Sequence, residues 1–357
     1  LTVDLALLGW NEFFAGAFAS LRGDDLAVAR VAIQHRGYYL LYTCEGEREG
    51  KITGRMHFHA RGARDLPVVG DWVVIRLRHG EKAATIVDVL PRKSAFVRRA
   101  AGKRNEQQVV AANADVVFLV SGLDDEFNLR RIERYVLLAM ESGARPVLLL
   151  NKMDLWDRPE EWLAEASTVA QGFPTHLLSA KLGEGLEAVR SYVTMGTTCA
   201  FLGSSGVGKS TIINCLLERE YLETQDVREA DSRGRHTTAY RELIPLRSGG
   251  LVIDTPGMRE VQLLQGSEGL LAAFDDITSL ASECKFRDCQ HLSEPGCAVR
   301  AALEGGVVDA GRYESYLELR KEIAYEHRRA DRTEDLLHKQ HARKLARARK
   351  WHKNRES

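Results

Sequence analysis

Eight residues constrain this chain more than any other stretch. Gly203-Ser-Ser-Gly-Val-Gly-Lys-Ser210 is a complete G-x-x-x-x-G-K-[ST] phosphate loop. The strand-like TTCAFL precedes it and the helix-like STIINCLLE follows, so a strand, a tight turn and a helix N-terminus must meet at one point. Gly206 and Gly208 let backbone N–H groups approach a polyphosphate closely, while Gly203, Ser204, Ser205 and Val207 complete the wrap. The helix that opens at Ser210 and Thr211 turns its positive dipole end toward the anion. Lys209 is expected to neutralise the β- and γ-phosphate oxygens, and the Ser210 hydroxyl to ligate Mg²⁺. A glycine-rich turn that met Lys-Ser by accident would not carry a strand before it and a helix after it.

A phosphate loop does not choose a base. Asn151-Lys-Met-Asp154, at the end of the apolar strand ARPVLLL, does. A carboxylate at Asp154 accepts from both N1–H and the exocyclic amine of guanine, and adenine offers no such pair of donors. Asn151 is expected to tie this loop to the phosphate loop, and the aliphatic stem of Lys152 to lie over the base. Ser179-Ala180-Lys181 follows FPTHLL, at a strand end where a second base-contacting loop belongs. Asp254-Thr-Pro-Gly257 closes the strand LVIDTPG; Asp254 is expected to hold Mg²⁺ through water, and the Gly257 N–H to face the γ-phosphate. Between the two phosphate motifs lies the polar stretch Arg233–Thr238, from which Thr237 or Thr238 would complete the Mg²⁺ shell.

The order of these motifs carries more information than their presence. In the usual guanine-nucleotide fold the phosphate loop comes first and the base-reading loops last; here NKMD and SAK precede GSSGVGKS and DTPG. The sheet survives that reversal only if the chain is circularly permuted, which is tolerated where termini lie close together. Strand and helix signals alternate from about residue 113 to 275, as in a parallel sheet covered on both faces. Upstream, AVARVAI, YYLLYT, KITGRMHF, DWVVIRL and AATIVDVL read as five short strands of a small barrel. An OB-fold is the commonest such barrel; an SH3-like barrel or an open meander is the alternative. Downstream, Cys284-x₄-Cys289-x-His291-x₅-Cys297 sets three thiolates and an imidazole at the spacing of a closed, structural Zn²⁺ site, one ion per chain. Helical spacing through Tyr313, Tyr316, Leu317, Leu319 and Ile323 follows. The expected fold is multidomain. An OB-fold β-barrel with an N-terminal extension covers 1–105, a circularly permuted α/β phosphate-loop GTPase domain 106–275, and a zinc-binding helical domain with a basic tail 276–357.

Fifty Lys and Arg cancel fifty Asp and Glu, which excludes a uniformly cationic coat. Yet His327–Ser357 holds eleven basic residues against four acids. Such a tail is either a solvated helix or a polyanion-binding segment. Its terminal position and Trp351, a ring that can stack on a base, favour RNA. The barrel is a second RNA-binding candidate, through Arg36, Tyr38 and Tyr39. No apolar run approaches the roughly 18 residues of a membrane span, and Leu1–Trp10 is short and holds Asp4, a poor leader. The six cysteines lack the spacing of a secreted disulfide framework. A cytoplasmic protein without membrane contact is expected.

With these pieces in this order, the chain resembles the circularly permuted GTPases of small ribosomal subunit assembly, the RsgA (YjeQ) family, over nearly its whole length. QHRGYY from Gln34, FNLRRIERY from Phe127 and RHTT from Arg235 add to the likeness. The resemblance implies a monomeric factor that binds GTP or GDP and the rRNA of the small (30S) ribosomal subunit. It would act late in maturation near the decoding region, hydrolyse GTP when stimulated by that subunit, and then release itself. Met258 stands where Ras-type proteins carry a water-orienting Gln, so unassisted turnover is expected at or below about 10⁻⁴ s⁻¹. The resemblance gives that orienting role to His236, which makes His236, Lys209 and Gly257 the expected catalytic set. Two rivals stand beside this reading. A phosphotransferase acting on a small-molecule acceptor would rarely need guanine selectivity, and no acceptor-binding domain is evident; a non-catalytic RNA-binding scaffold would merely hold nucleotide.

Overall fold

A computed structural model describes residues 3–21, 23, 25–60, 62–77, 83–99, 107–125, 127–170, 172–219, 241–254, 270–271, 273–325 and 328. Its N-terminal extension forms α1 (Glu12–Ala19), started by Asn11, whose side chain accepts from the Phe13 N–H. Trp10 and Phe14 from this extension pack on Trp72, with ring centroids 4.7 and 5.9 Å apart.

Five strands close the barrel: β1 (Leu26–Gln34), β2 (Tyr39–Thr43), β3 (Gly46–Ile52), β4 (Trp72–Leu77) and β5 (Ala83–Val89). They pair in the order β1-β2-β3-β5-β4, and β4 returns to β1 from Leu26↔Arg76 to Arg30↔Trp72. β3 and β5 run parallel and the other pairs antiparallel. Closure in that order is the OB topology and excludes the open meander. Alternation sends Ala29, Val31, Leu41, Val73, Ile75 and Ile86 inward. One expected strand is corrected. KITGRMHF leaves the sheet after Ile52, and Gly54–His59 form the short helix α2. Thr53 caps it by accepting from the Met56 N–H at 3.0 Å, and that local bond outweighs the strand propensity of the run.

β6 (Ala95–Arg99) and β7 (Gln107–Ala112) pair with each other outside the main sheet, so the division expected at 105/106 falls between two paired strands. Beyond them come β8 (Val116–Gly122), α3 (Leu129–Ser142), β9 (Arg145–Asn151), α4 (Glu160–Val169), β10 (Thr175–Leu178), α5 (Leu186–Tyr192), β11 (Thr198–Gly203), α6 (Lys209–Leu217), β12 (Glu242–Pro245) and β13 (Leu251–Asp254). The sheet runs β10-β9-β8-β11-β13-β12, parallel except for β12. Every residue of β8 and β11 is buried, as befits central strands covered on both faces. The chain enters this sheet at β8 and leaves it at β13, the two strands that flank β11; that is the permuted arrangement the motif order demands. β12 also pairs with β1 at Ile33↔Glu242, which joins barrel and α/β sheet into eleven continuous strands.

Arg30 locks these parts together. Its buried guanidinium donates to the carbonyls of Gly70 and Asn113, each at 3.0 Å, and to that of Leu8. The C-terminal part holds the helices Asp275–Ser282 and Ala298–Glu304 and a helix over 310–325. Phe274, Ile277, Val299, Tyr316 and Ile323 from this part share one core with Ile132 and Val136 of α3.

Candidate nucleotide site and metal centre

Parallel strands bring their carboxyl ends to one edge, and the registers here are tight. Leu178 and Gly122 both stand beside Asn151, Gly203 beside Val120, and Ala200 beside Ile253. Asn151, Ser179, Gly203 and Asp254 therefore line one edge, the place where ligands sit in open α/β sheets. Asn151 is the tie among the loops. Its Nδ2 donates to the Val207 carbonyl at 2.7 Å and its Oδ1 accepts from the Ala180 N–H at 2.9 Å. One buried side chain thus joins the loops 151–154, 179–181 and 203–210, as the motif reading expects and more, because the SAK loop is included. Asp154 lies exposed at the surface, and its Oδ1 accepts from Ser179 Oγ at 2.5 Å. Lys152 adopts a left-handed backbone (φ 70°), and its ammonium pairs with Asp124 at 2.5 Å. Lys181 is exposed beside them.

The phosphate loop uses its glycines as the motif requires. Gly206 (φ 77°) and Gly208 (φ 97°) are left-handed, and a Cβ on Gly208 would fall 2.1 Å from Asn151 Nδ2. Val207 is buried and anchors the loop, while Ser205 and Gly206 face outward. α6 begins at Lys209, which puts Ser210 and Thr211 in its first turn. The Lys209 ammonium donates to the carbonyls of Gly203 at 2.9 Å and Ser204 at 2.5 Å. Asp254, at the end of β13, is pushed up to about 6 from an ordinary 3.8; burial is the main cause, Glu242 adds to it and Lys209 opposes it. Ser210 and Asp254, one a hydroxyl and one a carboxylate at the same edge, suit the oxygen preference of Mg²⁺. His236, Thr237, Thr238, Gly257 and Met258 lie outside the described residues, as does the basic tail beyond residue 328 with Trp351.

On the barrel, Tyr38 is exposed and stacks on His35 with centroids 4.5 Å apart. Tyr39 is a correction. It points into the barrel core, 6% exposed, and offers no ring face to a base; strand alternation sends its neighbour Tyr38 outward in its place.

The four expected zinc ligands converge. All ligand atoms of Cys284, Cys289, His291 and Cys297 lie within 4.8 Å of one another. Cys284 Sγ and Cys297 Sγ are 3.8 Å apart, and His291 Nδ1 lies 3.5 and 3.4 Å from them. Zn–S bonds of about 2.3 Å and a Zn–N bond of about 2.0 Å at tetrahedral angles give edges of about 3.8 and 3.5 Å, so these three atoms already stand at the corners of a zinc tetrahedron. A left-handed backbone at His291 (φ 60°) turns the ring inward, and the Tyr313 hydroxyl donates to its carbonyl at 3.2 Å.

Sequence reasoning assigned no role to the contacts of α3. Arg131 and Tyr135 reach Ser204 of the phosphate loop. Glu133 accepts from Arg312 at 2.8 Å and from Ser315 at 2.5 Å, and Arg312 also holds Asp276. The available signal was FNLRRIERY itself, a helix start dense in charge at three- and four-residue spacing.

A family model described as RsgA GTPase matches residues 89–264. The small ribosomal subunit biogenesis GTPase RsgA of Opitutus terrae is 46% identical to this chain over 336 residues, 92% of either one. The crystal structure of YjeQ from Thermotoga maritima is similar with a TM-score of 0.61 at 27% identity, over 84% of this chain and 99% of that one. That of YloQ, a circularly permuted GTPase, shares the fold with a TM-score of 0.56 at 24% identity, over 85% and 98%.

Proposed function

The chain belongs to the RsgA GTPase family, and from that premise we propose that it hydrolyses GTP on the small ribosomal subunit late in assembly and leaves the subunit when hydrolysis is done. The observation that supports this reading is the Asn151 tie, which joins the loop that carries Asp154 to the SAK loop and the phosphate loop despite their reversed order in the chain. In this reading Asp154, steadied by Ser179, accepts from the guanine edge. The stem of Lys152 covers the base, and Ala180 and Lys181 close the second side. Backbone N–H groups of residues 203–208 and the first turn at Ser210 and Thr211 hold the phosphates, and Lys209 neutralises the oxygens where charge develops. Ser210, Asp254 and Thr237 or Thr238 would hold Mg²⁺, which supplies further charge neutralisation when bound. Gly257 is read as the γ-phosphate contact and His236 as the group that orients water once the protein has docked. Zn²⁺ on Cys284, Cys289, His291 and Cys297 would fix the fold of its own segment.

Docking on rRNA is assigned to the barrel face around Arg36 and Tyr38 and to the tail beyond residue 328. The three-part division at 105/106 and 275/276, a monomeric state and a cytoplasmic location belong to the same proposal. Among the described residues no helix is long and apolar enough to cross a membrane.

Two measurements test the reading. GTP, and not ATP, should displace a fluorescent guanine nucleotide, and purified small subunits should raise GTP turnover by orders of magnitude. Asp154→Asn should shift preference from guanine toward xanthine nucleotides, because an amide cannot accept from both guanine donors; an unchanged GTP preference would remove Asp154 from the base site.

A further inference from the structure

Helix α3 serves two partners from two faces. On one, Arg131 Nη1 donates to Ser204 Oγ at 2.9 Å, and the Tyr135 hydroxyl lies 3.3 Å from the same oxygen. Residues four apart share a helix face, so the pair acts as a single clamp. On the other, Arg130 pairs with Glu314 and Arg134 with Glu322, each at 2.8 Å, beside the buried Glu133–Arg312 pair. The start of the helix is fixed as well, because the Asn128 side chain accepts from the Arg131 N–H at 3.0 Å. The guanidinium is thereby carried on a backbone held at its first turn and along its far side.

Ser204 is the second residue of the phosphate loop. Its carbonyl accepts from the Lys209 ammonium at 2.5 Å, while its hydroxyl is taken by Arg131. A single residue is thus gripped from both ends by two cations. We infer that Arg131 is a positioning residue for the phosphate loop. It sets Ser204, and through Ser204 the Lys209 ammonium and the N–H groups that must face a nucleotide's phosphates. The inference rests on the GTP reading above and deepens it. Its physical basis is preorganisation: donors aimed before the ligand arrives lose little on binding, and a hydrogen bond from a charged donor holds a loop better than a neutral one. A planar fork on a held helix does this where a lysine, a point charge on a long stem, would not.

The test uses the full chain with four substitutions: Arg131→Met, Arg131→Lys, Ser204→Ala, and Arg131→Met with Ser204→Ala together. Affinity for a fluorescent GTP analogue, turnover and melting temperature are measured for each. Arg131→Met should weaken GTP binding about tenfold and leave the melting temperature nearly unchanged. Ser204→Ala should do the same, Arg131→Lys should recover only part of the loss, and the double variant should be no worse than the worse single one. Losses that add in the double variant, full recovery with lysine, or a drop in melting temperature in place of affinity would overturn the inference. So would wild-type affinity in Arg131→Met. If the wild-type chain itself did not prefer GTP to ATP, the nucleotide reading would fall instead, which keeps the two failures apart.

Discussion

Asp254 shows how a single half-buried carboxylate would set the conditions under which the proposed site works. Burial at the end of β13, with Glu242 paired directly across on β12, disfavours its charged form and pushes it up to about 6, against the pull of Lys209. The sign follows from the direction. A carboxyl raised from 3.8 to about 6 keeps its proton through the mildly acid range, and a protonated, neutral Asp254 would be a poor partner for Mg²⁺ or for a water bound to it. The apparent Mg²⁺ requirement for GTP binding should therefore rise about tenfold per unit as pH falls below 6, where an unperturbed carboxylate would hold until about 4. Mg²⁺ titrations of GTP affinity at pH 5, 6 and 7.5 check this. Asp254→Asn should bind weakly at all three and lose the slope; the same slope in that variant would assign the proton to another group.

Among the elements, what was legible in the sequence was what repeats at short range. Short β-branched or aromatic runs between turn signals mark most of the barrel strands, and unbroken apolar runs mark β8, β9 and β11; the turn chemistry of GSSGVGKS marks the entry to α6. Two readings failed where a local bond or a one-residue phase decided the outcome. Thr53 caps a helix inside KITGRMHF, and the pleat hides Tyr39 while it shows Tyr38. Contacts between distant segments left no local trace. Arg131 to Ser204 spans 73 positions, Glu133 to Arg312 spans 179, and Arg30 reaches Asn113 across 83. Arg30 reads as one more polar residue inside AVARVAI, yet it sits buried over the Trp72 ring and donates to three carbonyls from three separate segments. Arg30→Met fills the volume but leaves those carbonyls without that donor. It should cost about 3 kcal/mol of stability in urea unfolding, since the buried carbonyls of Leu8 and Asn113 lose this donor while that of Gly70 keeps the Asn113 side chain at 3.1 Å. A loss below about 1 kcal/mol would show that other donors or water replace the guanidinium.

At the scale of the whole molecule, the question is whether the metal centre supports only its own segment or the nucleotide cleft as well. Between Cys284 and Cys297 the buried side chains are Cys297 and His291 themselves, so the loop has little core of its own, and metal ligation would have to supply its fold. The helices on either side of the loop do share a core with α3, through Ile277, Val299 and Tyr316. Metal loss should therefore propagate along that core and loosen the Arg134–Glu322 and Glu133–Arg312 pairs. It should stop short of the cleft, because α3 keeps its Asn128 cap and its packing on β8 and β9, which carry Arg131 to Ser204, and the loops 151–154, 179–181 and 203–210 stay tied to one another through Asn151. Stripping the protein with a strong chelator should release about one zinc per chain and split thermal unfolding into two transitions, with the earlier one belonging to the C-terminal part. Proteolysis of the stripped protein should then cut within residues 284–297, while affinity for guanine nucleotide stays within about threefold of the loaded protein, a change worth less than 1 kcal/mol. Cys297→Ser should reproduce the early transition without chelator. If nucleotide affinity collapsed together with the metal, the C-terminal ion pairs would be what holds α3, and Arg131 would depend on the zinc segment rather than on the Asn128 cap and the sheet.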